Sequence, residues 1–404
     1  MTHNEAIVIT GLGAIAPNGI GLDAFWENTV NGVSGIRDVT SLVHAKRENK
    51  RGGEIPDFKV TDLVEIPDSE AFGRATQLSL AAATMALKDS GLEPAEWQAM
   101  RTGVYLGTTM GESQLAESFN RHFPEGQSEA SLRYYPSNMM PAMVSISLGL
   151  KGPSGLIPTA CAAGNYAIGY AFDMLQSGRA DCMLAGGADP WSLIAYEGFS
   201  AMFAISPDCC RPFDRDRSGI LISEGAALLV LESEKRARAR GARIYARLAG
   251  YGIGADGYHM TGPHPEGRGG IQAGRNALRS ARISPDEVDY VSAHGTGTQA
   301  NDKTETLIVK SLLGDRAKRV PVSSIKSMIG HTMGAASALE AVVSVKALET
   351  GVIPPTVNFQ NPDPECDLDV VPNVARRIHP EVVMSNSFAF GGNCATVIFQ
   401  KYGG

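Results

Sequence analysis

Apolar residues along this chain come in short unbroken blocks. Ala6–Thr10 is a β-type run that stops at Gly11-Leu12-Gly13, and Gly103–Gly107, Cys182–Ala185, Ala226–Leu231, Val288–Ala293 and Val320–Ile325 are further blocks. Blocks without strict alternation suit strands buried on both faces. Between them, apolar positions recur at helical spacing. Arg74 to Leu87 puts Ala75, Leu78, Ala82 and Met85 on one face, with Ser90-Gly91 as a stop. Met333 to Leu348 repeats the pattern and ends at Gly351, before Pro354-Pro355. Asn386–Cys394 reads as strand, glycine turn and strand, with Ala395–Gln400 as the second arm. Alternating strands and helices predict a layered α/β architecture. The nearest thing to a joint is the charged run Glu232–Arg243, which divides the chain into 1–240 and 241–404. It reads as a solvated helix face. No short repeat is visible.

Length and charge narrow this picture. A chain of 404 residues suggests two or three folding units, or one large duplicated one. Lys+Arg total 36 against 43 for Asp+Glu, a net charge of −7, so nucleic acid is not an expected partner. No run of eighteen apolar residues occurs, so no membrane span is expected. The start Met1-Thr2-His3-Asn4-Glu5 has no basic segment before its first apolar run, so no signal peptide is expected and the expected compartment is the cytoplasm. The six cysteines form no CxxC pair, and five read as small buried hydrophobes. Gly11-Leu12-Gly13 tempts a dinucleotide reading, but Ala16-Pro17 stands where the third glycine of the fingerprint belongs. No phosphate-binding P-loop and no GxSxG elbow occur. His259 and His264 flank Met-Thr-Gly-Pro, which reads as a surface loop, and no metal site is expected.

Four segments carry candidate chemistry. In Pro158-Thr159-Ala160-Cys161-Ala162-Ala163-Gly164, the cysteine falls at a strand-to-helix turn. Free N–H groups and the helix dipole there favour a thiolate, and the small neighbours let a carbonyl approach. A buried structural cysteine is the alternative. His294 ends an apolar block and opens His-Gly-Thr-Gly-Thr, so it is either a donor facing a pocket or a satisfied core histidine. Lys326 and His331 follow another block in Ser-Ser-Ile-Lys-Ser-Met-Ile-Gly-His. Binding groups of α/β proteins gather at strand C-termini, so three such ends together favour a site. Gly391-Gly392 permits close backbone approach and an N–H donor for an oxyanion, or a simple hairpin turn.

Cys161 in its Thr-Ala-Cys context, His294 in HGTGT, Lys326 and His331 in SSIKSMIGH, and Phe390 in FAFGG together resemble the β-ketoacyl-[acyl carrier protein] synthases. The likeness runs over essentially the whole chain. Asn301–Thr306 and Pro362–Asp369 further resemble the ketosynthase subunit of type II polyketide synthases. The resemblance implies the thiolase fold, two similar halves stacked as five αβαβα layers. It implies a decarboxylative Claisen condensation through an acyl-Cys161 intermediate, with an acyl carrier protein as partner and with phosphopantetheine arriving on that carrier rather than as a resident cofactor. It implies a dimer, either of two copies or with a chain-length-factor-like paralogue. By the resemblance, His294 and His331 hold the malonyl thioester carbonyl. Cys161 and Phe390 supply oxyanion N–H groups, Phe390 also gates the site, and Phe390 and Gly391 contact the substrate. Thr296 and Thr298 hold the phosphopantetheine arm, Met110 lies at the acyl pocket, and Lys326 orients the site, paired with Glu340. On the residues alone, Glu340 is equally an ordinary helix position. Asp302 and Glu305 have capping-box spacing and read as a helix start. Acidic residues in Val64–Gly73 stand where relatives carry basic carrier-binding residues, which leaves Arg211, Arg215 and Arg217 as an alternative docking surface. A thiolase, and a partner subunit that only sets chain length or decarboxylates malonyl groups, share the fold. Cys161 argues against the second, and the absence of a second reactive cysteine before the final glycine run argues against the first.

Overall fold

The computed structural model describes residues 5–40, 50–122 and 133–403, so Met1–Asn4 of the amino-terminal reading lie outside the described residues. Ten strands carry the architecture. They are β1 (Ile7–Ala16), β2 (Thr102–Gly107), β3 (Ser154–Ile157), β4 (Cys182–Asp189), β5 (Gly225–Ser233), β6 (Ala246–Ala255), β7 (Tyr290–Ser292), β8 (Val322–Ser323), β9 (Val382–Phe388) and β10 (Asn393–Lys401). The spatial order is β3-β2-β4-β5-β1 followed by β6-β10-β9-β7-β8. In each half the strand next to the outer edge is parallel to both its neighbours, β2 to β3 and β4, and β7 to β8 and β9. The remaining pairs are antiparallel, β4 with β5, β5 with β1, β9 with β10 and β10 with β6. The same five-strand topology therefore occurs twice in chain order, a duplication with no visible trace in the sequence. The halves meet where β1 pairs with β6 over Ile7–Ile9.

Six helices complete the five layers. They are α1 (Arg74–Asp89), α2 (Met139–Leu148), α3 (Ala163–Gln176), α4 (Arg268–Ala281), α5 (Gln299–Leu313) and α6 (Ala336–Thr350). α3 and α6 touch strands of both sheets, whereas α1 packs on β1, β4 and β5, and α4 packs on β6 and β10. A helix between two sheets must be apolar on all sides. α6 meets this condition, being buried from Ala336 to Leu348, yet it carries Glu340 within that stretch. β1 does not stop at Gly11-Leu12-Gly13 as expected from sequence. It continues to Ala16, because a Cβ at Gly13 would stand 2.1 Å from the Ala82 carbonyl oxygen of α1. The glycines are there to admit a helix, not to turn the chain. The charged run after β5 forms a short helix, Glu234–Ala239. Glu232 at its start is fully buried, and Arg240 holds it at 2.6 Å.

Candidate active site

Cys161 sits in a 3₁₀ turn, Ala160–Ala162, between β3 and α3. Ala160 has φ of +50°, an angle a non-glycine residue keeps only when its surroundings impose it. Those surroundings come from the other half of the molecule. Ser387 donates to the Cys161 carbonyl at 3.0 Å, and the Asn165 amide donates to Ser337 of α6 at 3.0 Å. At Gly164 a Cβ would meet the Ala338 amide nitrogen at 2.7 Å, so only glycine lets α3 and α6 cross here.

His294 follows β7. Glu305 of α5 receives the amides of His294 and Gly295 at 2.8 and 2.7 Å. Ser324 donates to the Gly295 carbonyl at 2.7 Å. The capping-box expectation for Asp302 and Glu305 is therefore corrected. Thr298 caps α5, while both carboxylates turn inward and tie down the loops that precede the helix. The sequence signal was two acids on the face of a helix that is otherwise buried there. Asp189 was missed altogether. It closes β4 and gathers the amides of Thr109, Met110 and Gly334 at 2.7, 2.8 and 2.6 Å, joining the loop after β2 to the one after His331. A carboxylate ending an eight-residue apolar strand was the available sign.

Behind the site, Lys326 is almost wholly buried and ion-paired with Glu340 of α6. Its Nζ also donates to the His294 carbonyl at 2.6 Å and lies 3.4 Å from His294 Nδ1. A lysine can only donate, so Nδ1 accepts and the His294 proton belongs on Nε2. His331 is fixed in the same sense, because its Nδ1 accepts from the Met333 amide at 3.1 Å. The two rings stand nearly perpendicular with centroids 5.7 Å apart. The network thus assigns both imidazoles as Nε2–H donors.

Burial, then the Lys326 charge and the second imidazole, hold His294 well below the usual histidine range, and burial and Lys326 do the same to His331. Both rings are neutral at pH 7. An unfolded chain binds these two protons near pH 6.5 and the folded one does not. Stability is therefore expected to fall as pH drops below about 6.5, by up to about 1.4 kcal/mol per pH unit for each imidazole. Denaturant titration of the parent and of H294Q/H331Q checks this. An identical slope in both would remove the two rings from the account.

Burial pushes the Cys161 thiol up to about 12, with the Lys326 charge the largest opposing influence. Burial thus opposes the thiolate that a helix terminus would favour. Burial likewise raises Glu340 to about 7 against the pull of Lys326.

Cys161, His294, His331, Thr296, Thr298 and Phe390 all line one cavity of about 230 Å³, with an apolar wall that includes Ile220 and Phe388. The ring of Phe390 stacks on Phe199 at 5.2 Å between centroids. Among the described residues neither the Cys161 nor the Phe390 amide donates to another residue, and the Cys161 amide faces its own thiol. The Gly391 amide, by contrast, is taken by the Met260 carbonyl at 2.8 Å. Met110 does not line the cavity. Its side chain packs in the adjoining cluster with Trp191, Tyr196 and Ile220. Arg211, Arg215 and Arg217 do not make an open basic surface. Arg211 pairs with Asp208, Arg215 with Asp216, and Arg217 is buried against Asp302 and Asp363. His259 is on an exposed loop where its ring accepts from the Thr261 and Gly262 amides. Among the described residues no helix is long and apolar enough to cross a membrane.

This constellation has counterparts among known proteins. Residues 4–237 match the family described as Beta-ketoacyl synthase, N-terminal domain, and residues 245–360 match Beta-ketoacyl synthase, C-terminal domain. The chain is 40% identical over 412 residues to 3-oxoacyl-[acyl-carrier-protein] synthase 2 of Staphylococcus aureus (strain COL), covering 100% of each. The solved ishigamide ketosynthase/chain length factor matches with a TM-score of 0.95 and 39% identity, over 99% of this chain and 100% of that one. A type II polyketide synthase acyl-carrier protein in complex with its ketosynthase, AntDE:AntF, matches at 0.90 and 32% identity, over 99% and 100%. The chain therefore belongs to the beta-ketoacyl synthase family, with its thiolase fold, and is a condensing enzyme of the acyltransferase class.

Proposed function

We propose that this chain condenses an acyl group, held on Cys161, with malonyl carried on an acyl carrier protein, in type II polyketide or fatty-acid assembly. The observation that carries the reading is the convergence of one thiol and two Nε2–H imidazoles in a single largely apolar cavity. The sulfur of Cys161 attacks the acyl thioester, and its proton leaves with the carrier's pantetheine thiol. The amides of Cys161 and Phe390 donate to no other residue and are the proposed oxyanion donors. Malonyl thioester then places its carbonyl oxygen on His294 and His331. The bond to the carboxylate breaks, CO2 departs, and the electron pair passes into an enolate stabilised by the two N–H donors. The enolate carbon attacks the acyl-cysteine, and the Cys161 thiolate leaves and regains a proton. Thr296 and Thr298 are the proposed anchors of the phosphopantetheine arm, Phe390 the gate, and Gly391 a substrate contact. Phosphopantetheine enters covalently with the substrate, so no resident cofactor is part of the scheme.

The partner is proposed to be the carrier protein together with a second copy of this chain or a chain-length-factor-like paralogue. Support for the latter is the resemblance to solved ketosynthase/chain length factor structures. Presence of Cys161 argues against the chain itself being the non-nucleophilic subunit. Intact mass after mixing with an acylated carrier protein is expected to show one acyl adduct, mapped to Cys161 and absent from C161A. An adduct elsewhere, or one that survives C161A, sinks the assignment.

A further inference from the structure

A second pocket, of about 370 Å³, opens at the N-terminal ends of β7, β8 and β9, opposite the strand ends that bear His294, Lys326 and Phe388. Its lining includes Asp289, Arg316, Arg319, Arg376, His379 and Glu381. The acids there are already engaged. Asp289 accepts the amides of Glu381 and Val382 at 2.9 and 3.1 Å, and Glu381 pairs with Lys401 at 2.7 Å. Arg376 is held by Asp369. Arg316 and Arg319 have no acidic partner among the described residues. Nη1 of Arg316 is moreover shielded from water and has no acceptor. A shielded guanidinium nitrogen without a partner is costly, and such a group calls for an explanation.

We propose that this pocket binds a phosphate-bearing small molecule, its phosphate held by Arg316 and Arg319. Guanidinium groups match phosphate oxygens in pairs, and an acceptor there satisfies Arg316 Nη1. The volume is roughly ten times the share of one water, so it takes more than a bare phosphate. The site is separate from the cavity of Cys161 and shares no lining residue with it. Occupancy therefore does not compete with substrate.

The test is calorimetric titration of the whole protein with inorganic phosphate, and separately with adenosine 3′,5′-bisphosphate, at ionic strength matched with sodium chloride. Saturable binding is expected, weakened about tenfold or more in R316Q/R319Q. The single variant R319Q, at an exposed position, is expected to weaken it in part while Cys161 still takes up an acyl group. Tighter binding of the bisphosphate than of phosphate is expected, and equal binding would overturn the larger phosphoester occupant. No binding by the parent, or undiminished binding by R316Q/R319Q, overturns the proposal.

Discussion

Alanine at His294 or His331 is expected to slow release of CO2 from a malonyl thioester about 100- to 1,000-fold, the usual cost of removing one donor to a developing oxyanion. Acylation of Cys161 should survive in both variants, because the amides of Cys161 and Phe390 are untouched. The reason lies in the tautomers. Lys326 beside one Nδ1 and the Met333 amide beside the other force both Nε2 protons toward the cavity. Both rings are neutral, so they donate without gaining a proton. Glutamine keeps an N–H donor and should fall between alanine and parent. Trapped 14CO2 measures the step. Parental rates in both alanine variants would end the two-donor scheme.

Lys326→Met is expected to cost roughly 3–5 kcal/mol of stability at pH 8, since it strands the Glu340 carboxylate among apolar neighbours. The loss should shrink toward pH 5.5. Burial already raises Glu340 to about 7, so its neutral form becomes available in that range. The double variant K326M/E340L removes both charges and should recover most of the stability. It should not recover decarboxylation, because His294 then loses the donor at Nδ1 and the anchor on its carbonyl. Lys326 acts through His294 and is a positioning residue. Denaturant unfolding at the two pH values, with CO2 release measured alongside, separates the structural effect from the positioning one. Parental decarboxylation by the stable double variant would dismiss the positioning role.

Much of the fold was legible because its signals are local. Unbroken apolar blocks marked β2, β4 and β5, and helical spacing marked α1 and α6 within a few residues. β1 was cut short because a glycine in sequence looks the same whether it turns a chain or admits a neighbouring helix. The duplication was illegible because the halves share topology and burial rather than residue types. Glu305 and Asp189 escaped as anchors for a related reason. What makes each one important is the set of backbone amides that reach it from distant loops.

By itself the sequence determined the chemical inventory and its local settings: a cysteine at a strand-to-helix turn, two histidines and a lysine after strand ends, and a double glycine in a hairpin. These follow from backbone preferences and hydrophobic spacing, which act over a few residues. Tertiary structure alone decided how burial bears on the thiol, which imidazole nitrogens carry protons, and that Met110 is not among the residues lining the cavity of Cys161. Protonation depends on desolvation and on charges brought from remote parts of the chain, and those exist only once the two sheets have closed around α3 and α6.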